Sequence, residues 1–456
     1  MQTTDIIQKE PITAIATALG QAGISVIRVS GIGVFEKINQ VFRGKNLADQ
    51  ATHTIHYGHI LKDEKIVDEV LISVFKSPHS YTGEDTAEIS CHGGSLITQT
   101  VLETILQAGV RHAEPGEFTH RAFLNGKLSL EQAEAVADII HAKSKKAAES
   151  AHQQLEGRLG SHIRTFRQQI IDATAMIELE LDFIEEDVEF ANKEQLHRLL
   201  SDLIPEIDQL LDTYEAGRLI KNGVKTVLAG LPNAGKSTLM NTFMGKERAI
   251  VSATAGTTRD VIDADWSYDG LLFTLTDTAG IRTTDDEIEA EGVKRSHKAI
   301  SEADIVVYLR DMSAPFDPDD EAQLELIRRQ WPDKPIVVAG SKSDSQILDQ
   351  FSVDIQISAK NGTGIDELKR LMKERVLADA QIDTSGIMVT SSRHRDALQK
   401  SRGHISSALQ ALDDGVTGDF LSIDLRAALQ ALGTITGEIT NEDILDSIFS
   451  RFCIGK

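Results

Sequence analysis

Residues 230–237, Gly-Leu-Pro-Asn-Ala-Gly-Lys-Ser, could bind the phosphates of a nucleotide. Glycines let backbone N–H groups turn inward around phosphates, and a following helix N-terminus adds partial positive charge. Lys236 can reach the outer phosphates, and the Ser237 hydroxyl can ligate Mg²⁺. An apolar stretch, 224–229, precedes the loop, and a helical pattern with Leu239 on its apolar face follows it. This strand–loop–helix context makes a chance match the weaker explanation.

Two later segments add candidate contacts to the same nucleotide. LLFTLTDTAG ends an alternating strand with Asp277, which can hold Mg²⁺ through water, and with Gly280, whose amide can sense a γ-phosphate. PIVVAGSKSD places Lys342 and Asp344 just after an apolar strand. A carboxylate there can accept both N–H groups of the guanine edge, a donor pair that adenine lacks. With Ser-Ala-Lys at 358–360, the segments predict GTP at the strand ends of a doubly wound sheet.

These segments resemble the G1, G3, G4 and G5 motifs of Ras-like GTPases. The resemblance implies nucleotide contacts from Asn233, Ala234, Gly235, Lys236, Ser237, Thr238, Asp277, Thr278, Ala279, Gly280, Lys342, Asp344, Ser358, Ala359 and Lys360. One position departs from the pattern, because Ser341 stands where the fourth motif has asparagine. Serine is shorter and lacks the amide, which predicts weaker binding while Asp344 keeps the preference for guanine.

The sequence does not single out one residue that would position the attacking water. Small GTPases commonly use a glutamine just after the third motif, and none is present here. Carboxylates that follow Gly280 are the remaining candidates, although each of them is more simply explained as part of a solvated loop. They are Asp285, Asp286, Glu287 and Glu289. Thr258 is a candidate second Mg²⁺ ligand, and Asn233 could hold a monovalent cation that supplies positive charge between the β- and γ-phosphates.

The composition limits what surrounds this site. A chain of 456 residues predicts two to four domains, and 47 Lys+Arg against 70 Asp+Glu give a net charge of -23. That balance excludes a general nucleic-acid coat, so RNA contacts must use a local basic strip. Only Cys91 and Cys453 occur, without a CxxC pair, which fits a reducing compartment. The first residues do not read as a signal peptide, and no apolar run is long enough to span a membrane, so we predict a cytoplasmic protein.

The elements that must position these residues fall into blocks. The first 120 residues alternate in strand fashion around one helical stretch and predict a small α+β domain. Long helical patterns occupy 128–215 and resume from about 391, which predicts one helical domain with the GTPase inserted in it. We therefore predict a multidomain protein of α/β and α parts, divided at 1–122, 123–217, 218–378 and 379–456.

Two local features have open interpretations. Six Lys/Arg between 141 and 168, and the stretch at 391–402, could meet nucleic-acid phosphates, but a solvated helical face is the simpler explanation. Cys91-His92-Gly93-Gly94 could suggest a metal, but no second ligand pair is suitably spaced, so we interpret Cys91 as structural.

GLPNAGKST, VSATAGTTRD and DTAGIR together resemble the MnmE (TrmE) family of tRNA-modification GTPases. That family is activated by potassium and by dimerisation of its G domains. The resemblance implies K⁺ ligands at Asn233, Ser252, Thr254 and Thr257, and Mg²⁺ ligands at Ser237 and Thr258. It also places the catalytic glutamate at Glu289, which sequence alone could not separate from its acidic neighbours.

The resemblance extends to both ends of the chain. ISVIRVSG, YTGEDTAEISCHGG and PGEFTHRAFLNGKLSLEQAEA resemble the family's N-terminal domain, which forms dimers and binds a tetrahydrofolate derivative, in a 5-formyl or methylene form, as one-carbon donor. The matching positions are Arg28, Glu88, Lys127 and Lys456. The family ends in CIGK, which makes Cys453 a candidate catalytic cysteine. A packed small hydrophobe remains the alternative for Cys453.

The resemblance implies a GTPase that works with an FAD-carrying partner of the MnmG (GidA) family in a heterotetramer. The pair would add an aminomethyl or carboxymethylaminomethyl group to C5 of the tRNA wobble uridine. One alternative is a GTP switch for ribosome assembly or signalling without chemistry of its own. Another is a scaffold whose long helices hold a dimer.

Overall fold

The structure is a computed structural model that describes 10–182, 193–246, 264–277, 297–348, 352–377, 386–452 and 454–455. Its packing divides the chain into two compact units. The first comprises Met1–Ala137, Gln154–Gln168 and Leu429–Lys456, and the second comprises Asp138–Gln153 and Gln169–Ala428. The division into four domains predicted from sequence stays a prediction.

The first unit is built on a seven-stranded sheet with the order β3-β4-β5-β6-β2-β1-β7. Its strands are β1 Ile12–Ile15, β2 Ile24–Ser30, β3 Phe42–Arg43, β4 Thr54–Lys62, β5 Lys65–Phe75, β6 Thr86–His92 and β7 Arg111–His112. Neighbouring strands are antiparallel except β1 and β7, which are parallel.

Alternation along these strands decides which face of the sheet is buried. In β5, Val70, Ile72 and Val74 are buried while the residues between them are more exposed, as a period of two requires. Helix α1 (Val34–Asn39) and helix α2 (Ser95–Gln107) contribute Ile38 and Val101 to the same core. One face of the sheet is therefore packed against this core, while the other carries polar side chains such as Arg28 beside a smaller cluster of Ile12, Ala14 and Phe118.

The described end of the chain packs within this first unit. Helix α3 spans Glu117–Leu124, helix α4 spans Leu130–His141 and the last helix, α14, spans Glu442–Phe449. Phe449 and Phe452 share a hydrophobic cluster with Leu130 and Ala133. Only 6% of the surface of Phe452 is exposed, so its ring helps to hold α14 against α4.

The second unit contains a six-stranded sheet with the order β13-β12-β11-β8-β10-β9. The strands are β8 Val224–Ala229, β9 Ala264–Tyr268, β10 Leu271–Asp277, β11 Ile305–Asp311, β12 Ile336–Ser341 and β13 Ile355–Gln356. All pairs are parallel except β9 with β10. The chain adds strands on one side of β8 and then crosses to the other, so a switch point falls at the end of β8, where a doubly wound sheet binds its ligand.

The remaining helices complete both units. They are α5 Lys145–Leu155, α6 Arg158–Asp182, α7 Lys193–Asp212, α8 Tyr214–Asn222, α9 Lys236–Lys246, α10 Pro318–Gln330, α11 Ile365–Val376, α12 Ser392–Asp413 and α13 Gly418–Thr436. The predicted combination of α/β and helical parts is confirmed. Within the described ranges, no helix has both the length and the apolar character needed to cross a bilayer.

Candidate functional site

The predicted phosphate loop, residues 230–235, joins β8 to α9 at the switch point. Gly230, Asn233 and Gly235 have φ angles of 130°, 66° and 96°, which lie in the region that favours glycine. A Cβ added to Gly230 would lie 2.3 Å from Leu309 O of β11. Glycine therefore lets the loop turn tightly against the neighbouring strand.

Lys236 lies across this phosphate loop. Its Nζ donates hydrogen bonds to Gly230 O at 2.7 Å and to Leu231 O at 2.8 Å, and its side chain is largely buried. Ser237 and Thr238 follow in the first turn of α9, and both are exposed. The Lys236 side chain, the N-terminus of a helix and the Ser237 hydroxyl thus follow one another at the end of the loop, an order that suits a phosphate and its metal ion.

Asp344 lies in the predicted base-binding segment after β12. Its Oδ1 accepts a hydrogen bond from Ser358 Oγ at 2.6 Å, and that bond is the main reason why the pKa of Asp344 lies below its ordinary value. The carboxyl is exposed and ionised, so its remaining lone pairs can accept N–H groups from a ligand. The structure thus brings together two segments that the sequence predicted separately.

Lys342, two residues before Asp344, is held by an ion pair. It adopts a φ of 57°, and its Nζ donates to Asp311 Oδ2 at 2.5 Å. Burial opposes ionisation of Asp311, but hydrogen bonds from Lys342 and Ser313 outweigh it, so the pKa of Asp311 is lowered. Asp311 therefore stays ionised where it accepts the hydrogen bond from Lys342.

Two tethers around the site were not predicted. Thr242 Oγ1 of α9 donates to Ala359 O at 2.8 Å, which joins the phosphate-loop helix to the Ser358–Lys360 segment. Ser341 Oγ donates to Ala234 O at 2.6 Å, which joins the base-binding strand to the phosphate loop. Each tether links residues more than a hundred positions apart, so no local sequence signal could have indicated it.

The remaining predicted contacts of the nucleotide site are described only in part. The backbone of Asp277 ends β10 opposite Leu228 of β8, beside the strand that leads into the phosphate loop. The other predicted positions lie outside the described residues: Ser252, Thr254, Thr257, Thr258, Thr278, Ala279, Gly280, Asp285, Asp286, Glu287 and Glu289.

A second candidate site lies on the sheet of the first unit. Arg28 of β2 stands opposite Glu88 of β6, and Arg28 Nη2 and Nε lie 2.8 and 3.0 Å from Glu88 Oε1. The guanidinium carbon lies 5.2 Å from the ring centroid of Tyr81 and 5.7 Å from that of Phe118. Arg28 Nη1 is buried without a hydrogen-bond partner among the described residues. A buried donor of this kind suits an acceptor group on a ligand.

Lys127 reaches the same part of the unit. Its Nζ donates to Pro78 O at 3.1 Å, and its side chain passes Gly83. The segment between Pro78 and Gly83 also carries Tyr81, which stacks against Arg28. Burial raises the pKa of Tyr81, whose hydroxyl lies 2.9 Å from Thr119 Oγ1. One segment therefore contacts two of the four predicted folate residues.

The described residues next to the chain end approach this sheet. Gly455 has a φ of 103°, and a Cβ added there would lie 2.2 Å from Ile15 O of β1. Ile15 pairs with Ile27, the neighbour of Arg28. Lys456, the remaining predicted folate residue, and Cys453, the candidate catalytic cysteine, lie outside the described residues.

The structure also shows what surrounds the basic stretch at 141–168 and Cys91. Several bases of the 141–168 stretch pair with acids: Lys143 with Asp265, Lys145 with Glu149, Arg158 with Glu156 and Arg167 with Glu438. Cys91 is buried, and burial raises the pKa of its thiol. In the part of the chain that the structure describes, no three His, Cys, Asp or Glu side chains cluster as metal ligands.

Comparison with known proteins covers nearly the whole chain. The family model of the MnmE helical domain matches residues 130–453, and that of the GTP-binding protein TrmE N-terminus matches residues 11–127. A tRNA modification GTPase MnmE from Salinibacter ruber is 46% identical over 98% of this chain and 100% of its own length. One from Cytophaga hutchinsonii is 45% identical over 100% of both chains.

Among solved structures, Aquifex aeolicus Era bound to GDP and aluminium fluoride is 22% identical, with a TM-score of 0.28. It covers 40% of this chain and 66% of its own. The assignment rests instead on the two family models and the full-length relatives. The chain belongs to the MnmE (TrmE) family of tRNA modification GTPases.

Proposed function

We propose that this chain hydrolyses GTP while it modifies tRNA at C5 of the wobble uridine. The observation that carries the proposal is full-length similarity to tRNA modification GTPases, together with a phosphate loop and an ionised Asp344 on one sheet edge. Asp344 would accept the N–H groups of guanine, and Lys236 would leave its two loop carbonyls for the outer phosphates.

Ser237 and Thr258 would hold Mg²⁺, with Asp277 acting through water. Asn233, Ser252, Thr254 and Thr257 would hold K⁺. The exposed Asn233 and Ser237 flank Lys236 and fit such roles, because amide and hydroxyl oxygens suit hard cations. The metal ions would neutralise charge on the phosphates, and Glu289 would position the attacking water at one remove.

The second site would bind a tetrahydrofolate derivative, in a 5-formyl or methylene form, as one-carbon donor. Arg28 Nη1, which has no partner among the described residues, and the carboxylate of Glu88 offer one donor and one acceptor side by side, as pterin recognition requires. Lys127 and Lys456 would pair with carboxylates of the folate tail. Cys453 would act as the catalytic cysteine near this site.

The working assembly would be a homodimer through the N-terminal domain, joined to an FAD-carrying MnmG (GidA)-like partner as a heterotetramer. The pair would install an aminomethyl or carboxymethylaminomethyl group in the cytoplasm. GTP hydrolysis would drive G-domain dimerisation and the conformational cycle. The acidic chain leaves much of the RNA-binding charge to the partner, since the net charge is -23.

GTP hydrolysis by the purified chain in potassium chloride, and in sodium chloride of equal ionic strength, tests the catalytic part. We expect faster hydrolysis in potassium, no hydrolysis of ATP, and loss of activity in Glu289→Ala with GDP binding retained. Equal rates in both salts would contradict potassium activation. Hydrolysis of ATP as fast as GTP would contradict the assignment of Asp344.

The alternative, a GTP switch without chemistry of its own, predicts the same hydrolysis. It differs in its response to loss of the gene, which should leave C5-modified wobble uridines in place if the chain is a switch and remove them if it is the modification enzyme. Full-length similarity to tRNA modification GTPases favours the enzyme.

A further inference from the structure

Ser341 occupies the position at which Ras-like GTPases carry asparagine, and its hydroxyl is already engaged. The residue ends β12 and is 3% exposed. Its Oγ lies 2.6 Å from Ala234 O and 3.1 Å from Arg310 O. A hydroxyl has a single proton, so two backbone acceptors compete for the only donor that this side chain has.

The phosphate loop lies directly against this hydroxyl. A Cβ added to Gly235 would be in ordinary van der Waals contact with Ser341, 3.7 Å from its Oγ. Ala234 O is the carbonyl just before Gly235, and the Ala234 side chain is buried. Loss of the Ser341 proton would leave that carbonyl without this donor inside the fold, which is costly.

The orientation of guanine follows from Asp344. If its carboxylate accepts the N1 and N2 hydrogens, the opposite edge of the purine, with the N7 acceptor, faces back toward the end of β12 and the phosphate loop. Ser341 is the side chain that ends β12 there, three positions before Asp344. An asparagine amide at this position has spare N–H donors for N7, whereas the serine proton is held by the protein.

We infer that Ser341 is a positioning residue that fixes the phosphate loop to the base-binding strand, and that position 341 supplies no hydrogen bond to purine N7. The inference rests on the proposed binding of guanine nucleotides. Guanine is then selected by the contact of Asp344 with the N1 and N2 edge of the base, and residue 341 makes no contact with its N7 edge.

Calorimetric titration of the full chain with GDP, 7-deaza-GDP and IDP tests this assignment. GDP and 7-deaza-GDP, which lacks N7, should bind the wild type within about twofold of each other. IDP lacks the 2-amino group and should bind about three- to tenfold more weakly, the effect of one hydrogen bond at Asp344.

Variants separate positioning from base contact. Ser341→Ala should weaken GDP and 7-deaza-GDP by the same factor, about three- to tenfold, and Ser341→Thr, which keeps the hydroxyl, should restore both. Ser343→Ala is the matched control, because Ser343 makes its bond to Ile357 O through the backbone N–H, at 3.1 Å. We expect its affinities to equal those of the wild type.

The outcomes are distinct. A wild-type preference for GDP over 7-deaza-GDP of about fivefold or more that disappears in Ser341→Ala would overturn the inference. A preference that persists in Ser341→Ala would assign N7 to another group and support it. Unchanged GDP affinity in Ser341→Ala would overturn the positioning role. ADP binding as tight as GDP, or no nucleotide binding by the wild type, would instead refute the proposed function.

Discussion

At the scale of single residues, Arg28 stands out because its pairing is incomplete. Glu88 engages Nε and Nη2, and two aromatic rings flank the guanidinium, yet Nη1 is buried without a partner among the described residues. A buried N–H without a partner usually marks strain, an ordered water or a ligand. The neighbouring carboxylate and rings favour a ligand.

Arg28→Gln should abolish this donor and weaken binding of 5-formyltetrahydrofolate at least tenfold. The variant also leaves Glu88 without its cation, so the free energy of unfolding should fall by about 1–3 kcal/mol. Fluorescence titration and denaturant unfolding measure the two effects. Lys62→Gln is the control, because Lys62 pairs with Glu103 on the surface at 3.5 Å, and it should change neither quantity appreciably. Unchanged folate affinity in Arg28→Gln would remove Arg28 from the site.

At the scale of elements, the strand–loop–helix from β8 to α9 depends on backbone shape. Gly230 combines a φ of 130° with a close approach to Leu309 O, and a Cβ would make both unfavourable. The sequence could indicate this element because its apolar strand, glycines and helical pattern are local. It could not indicate that the loop packs against Leu309 O of β11.

Gly230→Ala should therefore lose measurable GDP binding and lower the free energy of unfolding by about 1–3 kcal/mol or more. Gly245 lies in the same helix–loop element, near the end of α9, and a Cβ there would meet nothing within 4 Å. Gly245→Ala should keep GDP binding and stabilise the protein by about 0.5–1 kcal/mol. Equal GDP binding by both variants would contradict the account of the loop.

The docking of α14 on α3 is a second element with a testable property. His120 of α3 stacks on Phe449 of α14, with ring centroids 4.7 Å apart. Burial lowers the pKa of His120, although Glu117 and Asp446 act in the opposite direction. The unfolded chain then takes up a proton that the folded chain does not. Protonation of His120 therefore favours the unfolded chain. The stabilisation of the folded state that depends on a neutral His120 is complete above the ordinary histidine pKa of about 6.5 and is lost as the pH falls below it.

An NMR titration of His120 should give a midpoint below about 6.5. Phe449→Ala opens one face of the ring to water and should move the midpoint upward. A midpoint at or above the ordinary value in the wild type, or no change in the variant, would show that burial against α14 does not control this group.

How far the sequence could predict these sites depends on how many positions along the chain separate the residues that interact. The strand over 224–229 and the loop after it were predicted and are confirmed. Arg28 and Glu88 are 60 positions apart, and only the register of β2 with β6 brings them together. The hydrogen bond from Ser341 to Ala234 joins residues 107 positions apart. From the sequence, serine in place of asparagine predicted only weaker nucleotide binding. Tertiary packing decides such pairs, and a single sequence does not encode it in any local pattern.

At the scale of the whole molecule, segments from both ends of the chain form one compact unit. Gly455 lies against Ile15 of β1, and Phe452 shares a core with α4. The candidate folate site and the described residues around Cys453 therefore belong to the same unit, while the candidate nucleotide site belongs to the other. The two chemistries should be separable by mutation.

Gly455→Ala should displace the chain end, because the residue has a φ of 103° and its Cβ would collide with Ile15 O. We expect tRNA modification to fall at least tenfold while GTP hydrolysis by the isolated chain stays within about twofold. Gly94→Ala, where a Cβ meets nothing within 4 Å, should leave both activities intact. A parallel loss of both activities in Gly455→Ala would contradict the division of labour.

Nucleoside mass spectrometry of bulk tRNA tests the central claim most directly. The host strain lacks this gene and is complemented with wild type, Glu289→Ala or Cys453→Ser. We predict that C5-modified wobble uridines vanish without the gene and return only with the wild type. Modified uridines that persist without the gene would contradict the account and favour the GTP switch. Full restoration by Cys453→Ser would keep the enzyme but assign the cysteine to packing.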